Sequence, residues 1–257
     1  GGGIHQALKR VNALVSTKVL LAGIRTACLL FPVLLLAANF GRCNQGRNYT
    51  AYEWAGNTMR TLEPGNILLL EGDNNLFPVL YLRAVERARE DLVLYDRQNI
   101  VFKMPYLGKS SRVFHGDWED LRNILEREII VLKQDTGVNY SMFETQSLCL
   151  PRGYRVSPYG LVHRVVPEEA LANPYKIRNP WAVYASESFY DDYERDFLSR
   201  QVASHFFYRK GLYVFMGGET VPGRELMLRA SSLGFDDSGI LSMIGITLAE
   251  EGFRDEG

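Results

Sequence analysis

The residues best placed for binding chemistry are Asp73, Asn74 and Asn75, which follow Gly72 at the end of a continuous apolar run. Carboxylate and amide groups of this kind can hydrogen-bond a sugar hydroxyl or orient a substrate loop. In open α/β sheets, ligands gather at the carboxyl ends of the strands, where such a turn would lie. Asp and Asn are also common turn and helix N-cap residues, so a purely structural role for all three stays open.

No other motif assigns chemistry to the chain. The sequence has no G-x-G-x-x-G and no Walker lysine, so nothing favours a nucleotide. It has no G-x-S-x-G elbow that would mark a serine nucleophile. The four histidines are scattered, with no metal-ligand spacing: His5, His115, His163 and His205. We therefore predict no catalytic residue and no metal ligand in this chain.

The elements that would position the turn form a βαβ unit. The continuous apolar run over 66–71 predicts a buried strand, and helical spacing continues over 76–89. A second run of the same kind over 91–96 predicts another strand. Because parallel strands covered on both faces are apolar throughout, these runs indicate an α/β domain with parallel strands.

The second half of the chain changes from mixed to helical. A helix is predicted over 117–133, with Asp117 as its cap, and short strands over 148–166, joined by turns at 151–153 and 157–160. From Tyr190 onward the pattern is helical, with a 34-residue repeat typical of tetratricopeptide repeat (TPR) hairpins; a plain helical hairpin is the alternative. The repeated residues are Gly211, Val214, Gly218 and Gly223, matched by Gly245, Leu248, Gly252 and Gly257.

The N-terminal part carries an apolar run over 19–40 with Arg25 as its one charge. A helix of about 20 residues crosses the hydrocarbon core of a bilayer, so the run predicts a transmembrane helix. A signal-like anchor and a buried soluble helix are the alternatives. Basic residues are slightly more numerous before the run, which favours a cytoplasmic N-terminal side and an extracytoplasmic C-terminal domain. The predicted organisation is therefore 1–18 cytoplasmic, 19–40 transmembrane, 48–185 α/β and 190–257 helical repeats.

Composition sets two further bounds. The formal net charge is −1, which gives no electrostatic basis for nucleic-acid binding. Of the three cysteines, Cys28 lies within the apolar run, so that Cys43 and Cys149 are the pair able to form a disulfide; the sequence leaves open whether they do. The chain begins at Gly1 without Met and ends at Gly257 inside a repeat, so we expect it to be a fragment of a longer protein.

From Leu30 onward the chain resembles multi-pass GT-C-type glycosyltransferases of the protein O-mannosyltransferase-like kind with a TPR tail. The resemblance rests on the order of its parts: the end of the apolar run, the Pro64–Asn75 motif, Phe77–Tyr81, and the Pro158–Val162 turn before the helical tail. Arg89-Glu90-Asp91-Leu92 departs from the commoner Arg-Pro-Asp-Val of that family, which indicates a diverged branch.

The resemblance implies an extracytoplasmic α/β domain after a final membrane helix, followed by TPRs. It also implies a polyprenyl-phosphate-linked sugar as donor for the full-length protein, with no cofactor in this fragment. The catalytic carboxylate of such enzymes lies in an early loop that this chain does not contain. We therefore expect the fragment to position a protein acceptor or partner at the membrane; the alternative is a non-enzymatic, membrane-anchored TPR interaction protein.

Overall fold

A computed structural model describes residues 2–102, 117–143, 148–170, 179–191 and 195–250. The chain divides into two compact units, Gly1–Arg47 and Asn48–Gly257. No boundary near residue 185 separates the sheet from the C-terminal helices in this division, and the predicted split into two domains there stays a prediction.

The first unit consists of one helix, α1 (Gly2–Cys43). Within it, Thr17–Gly41 is long and apolar enough to cross a membrane. None of this segment is buried inside the protein, in contrast to what a soluble core helix would show. Pro32 lies inside the helix without ending it. The predicted membrane helix is therefore supported by length, composition and exposure, while the side on which the C-terminal unit lies stays a prediction.

The second unit is built on a five-stranded mixed sheet in the order β2-β1-β3-β5-β4. Strand β1 pairs in parallel with β2 on one side and with β3 on the other, whereas β5 runs antiparallel to both β3 and β4. The predicted parallel strands are confirmed, and an antiparallel hairpin extends the sheet. The strands are β1 (Ile67–Leu70), β2 (Val93–Asp96), β3 (Val138–Ser141), β4 (Tyr154–Tyr159) and β5 (Val162–Pro167).

The α/β part has helices on both faces of the sheet. Because side chains alternate along a strand, Leu68 and Leu70 pack against the first helices after the span, while Ile67 and Leu69 pack against a later helix. All four β1 residues are therefore buried, as the continuous apolar run predicted. The covering helices are α2 (Thr50–Thr61), α3 (Asp73–Ala84) and α4 (Trp118–Leu132).

Several predicted boundaries of helices, strands and turns differ from those in the structure. Helix α3 begins at Asp73 and not at residue 76, because Gly72 completes the turn and the next three residues form the first helical turn. Asp117 precedes α4 but makes no capping hydrogen bond with its side chain. The predicted turn over 157–160 overlaps β4, which runs to Tyr159. Strand β3 was not predicted at all.

The C-terminal helices pack around a further hydrophobic core, in addition to those on the two faces of the sheet. After a 3₁₀ turn (Pro180–Val183) and the short α5 (Glu187–Tyr190), the chain forms α6 (Phe197–Met216), α7 (Thr220–Leu233) and α8 (Ser238–Glu250). Helices α6 and α7 cross at Gly211 and Gly223, where an added Cβ would come within 3.0 Å of backbone oxygen. This close approach fits a helical hairpin, but the assignment of the hairpin to a TPR array stays a prediction. Gly252 and Gly257 of the repeat lie outside the described residues.

Gly72 gives the first prediction on stability. Its φ of +83° and ψ of 143° lie in a region that L-residues rarely adopt. A Cβ at Gly72 would meet only Asn75 Nδ2, at 3.9 Å, so the cost of Gly72→Ala is backbone strain and not a clash. We expect a loss of about 1–3 kcal/mol in the free energy of unfolding. Denaturant unfolding of Gly56→Ala, in the middle of α2, is the matched control, and equal effects of the two changes would contradict the assignment.

Candidate functional site

The structure separates the three predicted site residues. Asn75 is buried in the first turn of α3, where its Oδ1 accepts hydrogen bonds from Trp54 Nε1 (2.9 Å) and Ser141 Oγ (3.1 Å). Its Nδ2 donates to the Glu71 carbonyl at 2.9 Å. Asn75 thus joins α2, α3 and the carboxyl ends of β1 and β3, so its main role is structural.

Asp73 and Asn74 do not line the same space as Asn75. Asp73 is exposed at the start of α3 and borders a separate surface depression with Asn74, Phe77 and Asp196. Asn74 donates from Nδ2 to Gln201 Oε1 at 2.8 Å, a contact between α3 and α6. The turn is therefore a junction whose three polar side chains point to three different places.

The carboxyl ends of β1 and β3 open into a cavity of about 270 Å³. The chain passes from β1 to β2 on one side of β1, and then crosses to β3 on the other side. The strand order therefore reverses at this point. Such a crevice is the common ligand position in open α/β sheets. We name it the switch-point crevice; its lining residues are Glu71, Gly72, Asn75, Met142, Phe143, Gln201, His205 and Asp237.

Helix α6 covers the crevice with a stripe of polar side chains. Gln201, His205 and Arg209 follow one another at four-residue spacing, which places them on one face of the helix. Gln201 Nε2 donates to Asp237 Oδ2 at 2.9 Å, and the His205 ring stacks on the Phe143 ring with centroids 4.0 Å apart. At this edge of the sheet, α6 therefore presents polar side chains and not an apolar face.

Arg209 continues the stripe away from the crevice. It donates to the Met142 carbonyl at 2.5 Å and contacts His163 Nε2 at 2.8 Å. Burial, followed by the charge of Arg209, holds the pKa of His163 well below its usual range. His163 is therefore neutral near pH 7, and its Nε2 accepts the Arg209 hydrogen bond.

Asp237 and His205 differ in their protonation behaviour. The neighbouring His205 ring is the largest cause that lowers the pKa of Asp237, whose Oδ1 also accepts hydrogen bonds from the backbone N–H groups of Gly239 (3.0 Å) and Ile240 (3.2 Å). Burial lowers the pKa of His205 in spite of the nearby carboxylate. Near pH 7 the crevice therefore holds an ionised Asp237 and a neutral His205, with Nε2 and Oδ2 3.8 Å apart.

A buried ionic network lies behind Glu71. The side chain of Arg97 is fully buried and pairs with Glu71 and with Glu126, whose Oε1 lies 2.6 Å from Arg97 Nε. Tyr140 donates its hydroxyl to Glu126 Oε2 at 3.2 Å. Burial and the charge of Glu126 raise the pKa of Tyr140, so the phenol stays protonated and acts as a donor. The network fixes the Glu71 carboxylate at the edge of the crevice.

Sequence reasoning did not find Gln201, His205 or Asp237. The histidines were set aside because no metal-ligand spacing joined them, and in the described residues no group of three His, Cys, Asp or Glu side chains could hold a metal ion. One signal was present: polar residues at positions 201, 205 and 209 interrupt the buried face of a helix that is otherwise rich in aromatic residues. The three cysteines are free thiols in the structure.

The crevice presents hydrogen-bonding groups to a ligand. Among the described residues, its lining supplies carboxylate, amide and imidazole groups. Backbone groups at the ends of β1 and β3 are already paired, because Glu71 N–H donates to the Ser141 carbonyl at 3.1 Å. What the site can offer is a fixed set of hydrogen bonds to a small ligand.

Comparison with known proteins shows a distant similarity to a protein O-mannosyl-transferase. The chain is 24% identical over 182 residues to protein O-mannosyl-transferase TMEM260 of Mus musculus, and this alignment covers 65% of the chain. It covers 25% of the mouse protein, so the chain corresponds to about a quarter of that relative's length. No family model matches the sequence. No solved structure matches it either.

Arg97 gives a prediction about the buried network. Arg97→Met leaves the buried Glu126 carboxylate without its main partner, and removing one member of a buried pair costs about 3–5 kcal/mol. The double change Arg97→Met with Glu126→Met removes both charges, and we expect it to restore much of the loss. Arg200→Met, which breaks the partly exposed pair with Asp236, is the control and should cost no more than about 1 kcal/mol. A double variant as unstable as Arg97→Met alone would contradict the ionic role.

The histidines give a prediction about pH. The pKa values of His163 and His205 are lowered on folding, so the unfolded chain binds more protons below its ordinary histidine pKa of 6.5. Stability is therefore present above this pH and is lost as the pH falls through it, by up to about 1.4 kcal/mol per pH unit for each histidine. Denaturant unfolding between about pH 7.5 and pH 5.5 measures the slope. The double variant His163→Gln with His205→Gln should have a flatter profile, and an unchanged slope would show that other groups cause it.

Proposed function

We propose that this chain is the C-terminal portion of a membrane-bound glycosyltransferase of the protein O-mannosyltransferase-like kind. The observation that carries the proposal is the similarity to the mouse protein O-mannosyl-transferase, which extends over 65% of the chain. A helix able to span a membrane is a second, independent property that fits a membrane-bound enzyme. The chain spans only part of its relative, so the activity belongs to the full-length protein.

In this proposal, Asn48–Gly257 positions the acceptor and does not perform the transfer. The switch-point crevice supports the positioning role, because its lining supplies hydrogen-bonding groups that can hold part of an acceptor. The full-length protein would use a polyprenyl-phosphate-linked sugar as donor and a protein as acceptor. The unit would lie on the extracytoplasmic side, where lipid-linked sugar donors of this kind are used.

The helical hairpin is the proposed surface for the protein acceptor or a partner. Helices α6 and α7 pack closely through Gly211 and Gly223, with Met227 and Ala230 buried at the same interface. Small residues at such a crossing are compatible with TPR-like units, which stack into concave binding surfaces. The alternative is a membrane-anchored interaction protein without transferase activity. It would use the same surface, and the sequence that precedes Gly1 in the full-length protein distinguishes the two.

The proposed activity is tested with the full-length protein recovered from its complete reading frame. Membranes containing it are supplied with radiolabelled polyprenyl-phosphate mannose, and mannose transfer to endogenous protein is measured. We expect transfer above that of membranes from the same cells without the protein. Protease protection of a C-terminal tag in sealed vesicles is the test of sidedness, and protection is the expected result. A reading frame that begins near Gly1, or a full-length protein with neither mannose nor other sugar transfer, would favour the interaction protein.

A further inference from the structure

We infer that the switch-point crevice binds one neutral, hydroxylated ring of monosaccharide size, through Glu71, Gln201 and Asp237 at its polar edge and Phe143 at its apolar wall. The inference rests on the proposed function for the identity of the sugar, which we take to be a mannosyl unit carried by the acceptor. The geometry of the crevice supports it independently, by charge, by hydrogen-bonding capacity and by shape.

The charges in the crevice disfavour an anionic ligand and do not select a cation. Two carboxylates line it, Glu71 and Asp237, and an anion would be repelled by both. Arg97 lies directly behind Glu71 and offsets part of its charge, since the same guanidinium also pairs with Glu126. Asp237 already accepts three hydrogen bonds, two from the N-terminal turn of α8 and one from Gln201. These contacts reduce the field that a cation would meet.

The hydrogen-bonding groups are of both kinds and are only partly used. Arg97 binds Oε2 of Glu71, which leaves Oε1 with no hydrogen bond to the described residues. Gln201 donates one of its two amide protons, to Asp237. His205 is buried, and its Nδ1 has no hydrogen-bond partner among the described residues. A sugar hydroxyl both donates and accepts, so a ring with several hydroxyls can satisfy acceptors and donors placed around one cavity.

The shape of the crevice fits a ring with a flat apolar face. Its volume of about 270 Å³ is at the small end for ligand pockets, too small for a drug-sized molecule. The Phe143 ring is held by stacking on His205 and by an edge contact with Trp54, with ring centroids 5.7 Å apart. The wall is therefore fixed before any ligand arrives, which reduces the ordering cost of binding.

The inference is tested by ligand binding to the purified full-length protein in detergent. The probe is a short peptide carrying a single α-mannosyl serine, compared with the same peptide without sugar and with methyl α-D-mannoside alone. Saturation-transfer NMR detects the ring protons in contact with the protein. We expect a signal from the mannosyl ring in both sugar probes and none from the unmodified peptide.

Two substitutions of a carboxylate by its amide, at the residues on either side of Gly72, make the test specific. Glu71→Gln replaces a crevice carboxylate oxygen by a donor and leaves Arg97 paired with Glu126, and we expect sugar binding to weaken roughly tenfold or more. Asp73→Asn makes the same chemical change outside the crevice and should leave binding unchanged. Thermal unfolding of both variants shows that each is folded, and Asp237→Asn is the second crevice variant if Glu71→Gln is unstable.

The outcomes distinguish this inference from the proposed function. Wild-type protein that transfers mannose but gives no ring signal would overturn the crevice as a sugar site and leave the transferase proposal standing. Ring contacts without transfer activity would support the crevice and contradict the transferase. Binding that Asp73→Asn weakens and Glu71→Gln does not would place the site elsewhere, and binding of spermidine in preference to the sugar probes would make it a cation site.

Discussion

The burial of one guanidinium constrains the whole α/β part of this protein. Arg97 follows β2, its side chain is inaccessible to solvent, and a charge in such a position is stable only with partners of opposite charge. Those partners come from different elements: Glu71 from the end of β1 and Glu126 from α4, which in turn binds Tyr140 of β3. Three parallel strands and a covering helix therefore have to be in register before the charge is compensated.

The same constraint sets the position of the crevice. The parallel strands end where Arg97 holds Glu71, and the carboxylate cannot turn away into solvent without breaking its ion pair with the buried guanidinium. Across the opening, α6 supplies Gln201 and His205. One face of α6 contacts α3 through Gln201, and it contacts the segment after β3 through His205 and Arg209. The crevice is thus bounded on both sides by groups whose positions are fixed by other contacts. Such preorganisation is what a weak, hydrogen-bonded ligand requires.

Sequence patterns predicted the elements that depend on local apolar periodicity. They did not predict the elements that depend on contacts between residues distant in sequence. The all-apolar β1 and the amphipathic α4 were found because apolar burial alone determines them. Strand β3 reads Val-Asn-Tyr-Ser and was missed, since its polar side chains are buried against partners distant in sequence: Asn139 with Asn66, and Ser141 with Asn75. No window around residue 140 contains those partners. The crevice residues 201, 205 and 237 were missed for the same reason.

The turn after β1 shows that a correct prediction of a local element does not determine where its side chains point. Gly72 adopts a positive φ, and the turn lies at the carboxyl end of a parallel strand, as expected. The helix begins three residues earlier than predicted, so the three polar residues belong to its first turn. Successive residues of a helix differ by about 100° in direction, and their side chains therefore point apart. Asp73 points to solvent, Asn74 to α6 and Asn75 into the core. Of the two carboxylates beside Gly72, it is therefore Glu71, on the strand side, that lines the crevice, while Asp73, on the helix side, borders a separate depression.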